Sequence, residues 1–333
     1  MDSIRMTKLL FITAVLAFGL LSAQQPAAEG KPAPAKPAPE AKPASEAKPA
    51  PKPTPPAEGK PFDLELPNKG GAITMRWCPP GTFNMGSLKD ESGSTEEEPL
   101  HKVTISRGFW LAETETTQNQ WQAIRGLTQE QQLKRTNRFG ELTSVGPDVP
   151  IYHVSYHEAL DFCKRLTDIE RKAGRLPNGY VFTLPTEAQW EYACRAGTTT
   201  ALNSGKDLTD KLRCPNADEV AWFRGNSYIS NDTQPPGPHP VAKKKANAWG
   251  LFDMHGNIGE WCLDKAVFDY EENALVTIGE NSTDPVHKKG TEAIIRGGSW
   301  ASPATMCRSA SRRCQPLQTR GSNLGFRIAL IKH

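Results

Sequence analysis

The half of the chain beyond Cys194 contains few stretches in which apolar residues recur with the period of a helix or a strand. It is rich in Gly, Pro and Asn, and residues 231–240 show no hydrophobic periodicity at all. Apolar periodicity is the main sequence signal of regular secondary structure, whereas Gly, Pro and Asn favour turns. We therefore expect this half to consist mostly of loops joined by a few short strands.

Regular elements are predicted mainly before Cys194 and near the C-terminus. Helix starts are expected at the Thr116-Thr117 pair, at Ser155 and at Thr186, because a Ser or Thr side chain can accept hydrogen bonds from the first turn of a helix. Strand candidates lie at residues 73–77, 101–105, 294–295 and 326–331. Two or three helices in a chain with many loops and few strands favour an irregular α+β domain.

The first 61 residues differ in composition from a folded domain. Residues 1–23 combine basic residues with an apolar run at 9–21 and end in small residues, which is typical of a signal peptide. Residues 24–61 are almost only Pro, Ala, Lys and Glu, a composition that favours a disordered, extended linker. We expect residues 62–333 to form the domain of an exported protein that is periplasmic, secreted or held at the cell surface. It would touch a membrane only through an uncleaved N-terminal segment.

Charge and cysteine spacing exclude several classes of protein. The formal net charge of +3 is too small to indicate a nucleic acid or another polyanion as partner. Seven cysteines in an exported chain favour disulfides and leave at least one thiol unpaired. Since no two of them have Cys-x-x-Cys spacing, a zinc ribbon or a thioredoxin motif is excluded.

A series of short motifs runs in order through residues 73–330. They lie at residues 80–87, 97–103, 113–117, 150–155, 184–193 and 250–257, followed by Arg-Gly-Gly-Ser-Trp at 296–300 and Asn-Leu-Gly-Phe-Arg at 323–327. This series resembles the sulfatase-modifying factor family, which includes the formylglycine-generating enzymes. Each motif alone is weak, but the ordered set is specific and covers nearly the whole predicted domain. The resemblance implies an irregular, loop-rich α+β fold of the C-type-lectin-like kind.

The resemblance also implies a structural calcium site. The matching positions are the carboxylates of Asp253 and Glu260 and the backbone carbonyls of Gly256 and Ile258. Calcium prefers oxygen ligands, and a loop outside helix and sheet leaves its carbonyls free to bind. The alternative is that Asp253 only forms a turn and Glu260 is a solvated charge.

In catalytic members of the family, two cysteines after the Gly-Gly-Ser-aromatic motif hold Cu(I), which activates oxygen to oxidise a substrate cysteine to formylglycine. Soft thiolates suit Cu(I). Counted from Trp300 without a gap, the two positions are Ser302 and Cys307. Because the hydroxyl of Ser302 is a poor Cu(I) ligand, only Cys307 remains as a candidate catalytic residue.

A second alignment, anchored on residues 308–312, places Cys307 at a structural half-cystine of the family. There it would bridge to the cysteine after the Trp-Glu-Tyr helix, which is Cys194 in this chain. The resemblance thus implies a Cys194–Cys307 disulfide in competition with a reactive Cys307. Cys314 can replace Cys307 in either role, and the pairing of Cys163 is unassigned.

Two functions follow as expectations. The first is a non-catalytic exported member that binds a protein or a glycan at the cell surface, and Ser302, the linker and the implied disulfide favour it. The alternative is an oxidase that converts a sulfatase cysteine to formylglycine with Cu(I) and oxygen. A third class, with histidine-bound iron, lacks the required His-x-x-x-His-x-Glu arrangement. His153 and His157 are expected at the surface, because Ser155 between them is a predicted helix cap.

Overall fold

The structure is a computed structural model, and it describes residues 56–135, 142–227, 236–266, 268–269, 274–275 and 282–332. The predicted signal peptide and most of the predicted linker lie outside these residues, as do residues 231–235 of the segment without periodicity. In this described part, every helix is too short or too polar to cross a membrane.

Helices and short strands alternate along the described chain. The helices are α1 (Gln118–Arg125), α2 (Gln129–Arg135), α3 (Tyr156–Lys172), α4 (Glu187–Arg195) and α5 (Pro215–Asp218), with a 3₁₀ helix at Ala304–Cys307. The strands are β1 (Phe62–Glu65), β2 (Ala72–Cys78), β3 (Gly81–Met85), β4 (His101–Ile105), β5 (Phe109–Ala112), β6 (Tyr180–Thr183), β7 (Ala221–Trp222), β8 (His255–Gly256), β9 (Gly259–Ala266), β10 (Phe268–Asp269), β11 (Ala274–Leu275), β12 (Ser282–Thr283), β13 (Glu292–Arg296), β14 (Arg312–Pro316), β15 (Leu324–Gly325) and β16 (Ala329–Lys332).

The three predicted helix starts are confirmed. The side chains of Thr117, Ser155 and Thr186 each accept a hydrogen bond from the backbone amide three residues later. The side-chain oxygen of the Gln or Glu at that later position accepts a hydrogen bond from the amide of the capping residue, which completes a capping box in all three helices. Because a capping box needs only neighbouring residues, it was readable from the sequence.

Two sheets position the signature motifs. The larger has the strand order β1-β2-β5-β16-β6, so the C-terminal strand lies between β5 and β6 and pairs antiparallel with both. The second has the order β14-β13-β9-β15. Smaller groups are β12-β4-β3, β7-β8 and β10-β11. The sequence predicted fewer strands because a two-residue strand is too short to show a period of two.

Aromatic rings fill the main core. The rings of Trp121 and Phe162 are stacked with centroids 5.8 Å apart, and Phe326 packs edge-on against Phe162 at 5.3 Å. Trp190 and Trp261 are fully buried. These large rings provide much of the buried apolar area of a domain with little regular structure.

The predicted surface position of His153 is wrong. His153 is 6% exposed, whereas His157 is exposed as expected. The backbone of His153 has φ near 59°, which is uncommon outside glycine, and its amide donates to the carbonyl of Gly321 at 2.9 Å. This left-handed bend and the contact with a distant loop hold the residue inside the protein, and neither can be read from helix periodicity.

Replacing Phe162 with alanine is expected to lower the free energy of unfolding by about 3–5 kcal/mol, because it removes a ring from a closely packed core. Urea denaturation followed by tryptophan fluorescence measures the change. Lys164→Ala, on the exposed face of the same helix, is the control and should leave the midpoint nearly unchanged. Equal losses in the two variants would contradict the assignment of this core.

Candidate functional site

Arg327, the last residue of the C-terminal motif, is the centre of a buried polar cluster. Its guanidinium group is fully buried and donates from Nε and Nη2 to the carboxylate of Glu260, at 2.7 Å in each case. The other hydrogens go to the carbonyls of Ala112, Glu113 and Phe252, at 3.2, 3.2 and 3.0 Å. Every N–H donor of the group therefore has an acceptor, and the attraction of Glu260 helps to raise the pKa of Arg327 against the opposing effect of burial.

Glu260, one of the predicted calcium ligands, is already occupied by hydrogen bonds. Besides its two bonds from Arg327, its Oε2 accepts from the indole nitrogen of Trp190 at 2.8 Å. A cation bound here would compete with a guanidinium group that is held on all sides. The alternative of a solvated Glu260 is wrong, because the side chain is fully buried.

Asp253, the other predicted carboxylate ligand, lies in the loop before β8 with φ near 55°. Its Oδ2 accepts from the amide of Ala242 at 2.7 Å, whereas its Oδ1 is buried without a hydrogen-bond partner among the described residues. Burial raises the pKa of Asp253 to about 6. The residue therefore has one free, desolvated oxygen with which to bind a cation.

The two predicted carbonyl ligands lie in the same turn. Gly256 has φ near 76°, and a Cβ there would lie 2.0 Å from the carbonyl oxygen of Trp222, so only glycine fits. Ile258 is fully buried. Within the described chain, no group of three or more His, Cys, Asp or Glu side chains is arranged to hold a metal. The residues fit calcium in part, through Asp253, and calcium at all four positions stays a prediction.

The two glycines of the signature form a tight turn against the 3₁₀ helix. Gly297 and Gly298 have φ near 91° and 72°, and a Cβ on Gly298 would lie 2.7 Å from the sulfur of Cys307. The next part of the turn is fixed by Trp300, whose amide donates to the carbonyl of Asn257 at 2.9 Å. The close approach that glycine permits brings Cys307 against the signature.

Ser302 and Cys307, the two positions of the gapless alignment, both contact Ser299. The hydroxyls of Ser302 and Ser299 are 3.0 Å apart, and the backbone of Ser299 hydrogen-bonds the Cys307 sulfur. All three residues are buried, and burial raises the pKa of Cys307 to about 12. Cys307 is therefore a protonated thiol at neutral pH, and Ser302 contributes a buried hydroxyl that contacts the same Ser299.

His255 lies between Cys194 and Cys307, and sequence reasoning assigned it no role. Its Nδ1 donates to the carbonyl of Cys307 at 2.6 Å, and its Nε2 accepts from the amide of Asn203 at 3.0 Å. These partners require a neutral ring, and burial lowers the pKa of His255 to about 4. The Cys194 sulfur is 3.7 Å from Nε2. The imidazole thus connects three segments that are distant in sequence.

All seven cysteines are free thiols in the structure. The predicted Cys194–Cys307 bond is not formed, and it stays a prediction. Cys314, the suggested substitute, is half-buried on the edge strand β14 and donates to the carboxylate of Glu292 at 2.6 Å. Cys163 is buried in the aromatic core. Burial raises the pKa of both Cys194 and Cys314 to about 12, so neither is an activated thiolate.

Two other buried arginines of the signature region hold its turns in place. Arg296 donates to the carboxylate of Glu191 on α4 and, at 2.6 Å, to the carbonyl of Ala310. Arg308 makes a two-pronged pair with Glu98 at 2.8 and 2.9 Å. Arg296 begins the Arg-Gly-Gly-Ser-Trp motif, and Arg308 begins the 308–312 segment of the second alignment. These positions were the available sequence signal, but the sequence does not distinguish a buried arginine from a solvated one.

Comparison with known proteins finds the family that the sequence motifs resembled, over most of the chain. The family model for the sulfatase-modifying factor enzyme 1-like domain matches residues 66–331. The formylglycine-generating enzyme of Streptomyces coelicolor is 31% identical over 192 residues, which are 55% of this chain and 53% of that enzyme. The serine/threonine-protein kinase pkn1 of Chlamydia pneumoniae is 28% identical over 273 residues, which are 75% of this chain and 36% of the kinase.

A solved structure has a similar fold. Treponema denticola variable protein 1 aligns with a TM-score of 0.62 and 26% identity, over 81% of this chain and 99% of that protein. The matches to the enzyme and the kinase, in contrast, span only about half and a little over a third of their lengths.

Replacing Glu260 with glutamine is expected to lower the free energy of unfolding by about 3–5 kcal/mol, because it leaves the buried charge of Arg327 uncompensated. Urea denaturation at neutral pH measures the loss. Glu130→Gln, which removes an exposed pair with Lys134, should leave the midpoint nearly unchanged. A Glu260→Gln protein as stable as the wild type would show that the ion pair is not structurally important.

The predicted Cys194–Cys307 bridge is tested by alkylating the full chain, purified from an oxidising compartment, under denaturing conditions without reductant. If the bridge forms, mass spectrometry of the peptides should find Cys194 and Cys307 unmodified before reduction and modified after it. A fully reduced sample, in which every cysteine is alkylated, is the control. Alkylation of both residues before reduction would rule out the bridge.

Proposed function

This chain belongs to the family of sulfatase-modifying factor enzyme 1-like domains, and we propose that it is a non-catalytic, exported member whose scaffold binds a protein or a glycan at the cell surface. The irregular α+β architecture is the one that the motifs predicted.

The observation that carries the proposal is the contact between Ser302 and Ser299. Ser302 occupies the position of the first catalytic cysteine in the gapless alignment, and its hydroxyl is 3.0 Å from that of Ser299. Cu(I) requires soft ligands, and a hydroxyl does not replace a thiolate. Cys307 alone offers one sulfur, and that sulfur is fully buried and protonated. The signature turn thus offers one buried thiol and one hydroxyl, which do not make a two-thiolate Cu(I) site.

The names of the similar proteins indicate that domains of this kind occur in proteins with different activities. Similar segments occur in a protein named a formylglycine-generating enzyme and in a protein named a serine/threonine kinase. A fold can carry unrelated functions because function depends on the residues of a site rather than on the architecture. A member that binds without catalysis is consistent with this variety.

The parts of the proposal that concern export and the class of partner are supported by the sequence alone. Residues 1–23 have the pattern of a signal peptide, and residues 24–61 have the composition of an extended spacer that would hold a domain away from a membrane or wall. The small net charge disfavours nucleic acid. A protein or glycan at the cell surface is the partner that fits these features.

One observation favours the alternative function, a copper- and oxygen-dependent formylglycine-generating oxidase acting on a sulfatase cysteine. Cys307 lies against Gly298 of the signature turn and contacts Ser299, and the gapless alignment gives it the position of the second catalytic cysteine. Such an oxidase requires another thiol to complete a Cu(I) site, for example Cys314. Cu(I) would supply oxygen activation, while this chain would have to provide two thiolates and a route for the substrate.

The purified chain is expected to produce no aldehyde when it is incubated with Cu(I), oxygen and a sulfatase peptide that contains Cys-x-Pro-x-Arg. Mass spectrometry of the peptide measures the product. Ser302→Cys should raise the affinity for Cu(I) at least about tenfold, because it adds a second soft ligand beside Cys307. Competition with a chromogenic Cu(I) chelator measures this gain.

Thr305→Cys is the matched control for the copper experiment. It adds a thiol to the same segment, but Thr305 packs against Gly93 rather than Ser299, so Cu(I) affinity should stay at the wild-type value. Aldehyde formation by the wild-type chain that disappears in Cys307→Ser would overturn the non-catalytic proposal and establish the oxidase.

A further inference from the structure

Two exposed leucines lie side by side in the loop between β3 and β4. A parallel bridge joins Ser87 to Pro99 near the two ends of this loop. Leu88 and Leu100 are the next residues of the two segments, so they leave the bridge as neighbours. They are 59% and 46% exposed. An isolated exposed apolar side chain is ordinary, but adjoining ones indicate a contact with another molecule.

The two leucines line a cleft of about 720 Å³ within the same loop, the leucine cleft. Hydrogen bonds fix its walls: the amide of Ser87 donates to the carbonyl of Glu98 at 3.0 Å, and the Ser87 hydroxyl donates to the Glu98 carboxylate at 2.8 Å. Further along the loop, the amide of Ser94 donates to the carbonyl of Glu91 at 2.9 Å. A cleft that is held in this way needs little ordering when a partner binds, which lowers the cost of association.

The rim of the leucine cleft is acidic. Residues 87–100 contain five acidic residues and one lysine. Arg308 pairs with two of the acidic side chains, whereas Asp90, Glu96 and Glu97 form no ion pair within the described chain. Asp90 and Glu96 are exposed. The surface that a partner meets therefore combines an apolar centre with net negative charge, which fits a segment that carries an apolar side chain next to cations.

Residues 286–289, the basic segment, have this composition in the chain itself. Val286 is 36% exposed, and Lys288 and Lys289 are exposed and form no ion pair with any described residue. Strand β9 holds the backbone of His287 between them, through hydrogen bonds of 2.8 and 2.7 Å. An apolar side chain and two cations are thus presented on a fixed backbone.

The leucine cleft and the basic segment lie at opposite ends of the small sheet β12-β4-β3. The loop of the cleft joins β3 to β4 at the end where Met85 is paired with His101. The basic segment follows β12, which runs parallel to β4 and away from that loop. β4 has five residues and spans about 14 Å between the two ends. One copy therefore cannot place its own segment in its own cleft, whereas two copies can meet head to tail.

We infer that the leucine cleft binds the basic segment of a second copy of this chain. Val286 lies against Leu88 and Leu100, while Lys288 and Lys289 face the acidic rim. Opposite charges on the two surfaces steer the encounter and fix its orientation. Because the two surfaces differ, each bound pair still has one free cleft and one free segment, so further copies add to it. The contact requires neither catalysis nor a glycan.

Sedimentation velocity of the purified full chain tests the contact. The weight-average sedimentation coefficient should rise with protein concentration at low salt, and about 0.5 M NaCl should remove most of the rise, because salt screens exposed charges. A coefficient that stays at the monomer value over the whole concentration range would overturn the proposal.

Two variants separate the surfaces. The cleft variant combines Leu88→Lys with Leu100→Lys, and the segment variant combines Lys288→Ser with Lys289→Ser. All four side chains are exposed, so both variants should fold, which circular dichroism checks. Each variant alone should keep the monomer coefficient at every concentration. If either one associates to the wild-type extent, the contact lies elsewhere and the proposal is wrong.

A mixture of the two variants tests the pairing directly. The segment variant keeps an intact cleft and the cleft variant keeps an intact basic segment, so equal amounts should form a heterodimer and nothing larger. A mixture that stays monomeric, although the wild type associates, contradicts the pairing of these two surfaces.

Lys243→Ser combined with Lys245→Ser is the matched control. Both lysines are exposed, and their loss changes the net charge as much as the segment variant does, but they lie in a different segment. This protein should associate like the wild type. An equal loss of association in the control and in the segment variant would show that net charge alone governs association, and it would rule out the site.

Discussion

The buried pair of Arg327 and Glu260 connects the two larger sheets of the domain. Glu260 lies on β9 of the four-stranded sheet, and Arg327 also donates to the carbonyl of Ala112 at the end of β5 in the five-stranded sheet. A buried ion pair is weak evidence for net stability, because desolvation offsets much of the attraction. Its structural value is geometric: a planar group with several fixed donors is satisfied by one arrangement of its neighbours. The position of the signature turn depends on that arrangement.

Buried charges recur through the domain because loops make few hydrogen bonds of their own. Backbone groups that leave helix and sheet still need partners once they are buried. Arg296 supplies donors to the carbonyls of Ala310 and Ser311, and Arg308 does so for Gly93. The neutral ring of His255 likewise satisfies one carbonyl and one amide. In the loop regions, side chains thus provide the hydrogen-bond partners for backbone groups that neighbouring strands provide in a sheet.

The signature region combines a tight glycine turn with one buried hydroxyl and one buried thiol. The turn at Gly297 and Gly298, the contact of Ser302 with Ser299 and the approach of Cys307 form one arrangement. In it the Ser302 hydroxyl and the Cys307 thiol are both buried, and the thiol is desolvated.

The sequence by itself determined the features that depend on neighbouring residues or on ordered motifs. The helix starts at Thr117, Ser155 and Thr186 were predictable because a cap and its partner lie three residues apart, and the motif order predicted the family and its fold. Only the tertiary structure decided which polar groups would be buried together. It placed His153 inside the protein and paired Glu260 with Arg327. Burial and partner choice are set by packing between distant segments, and no local pattern of residues encodes them.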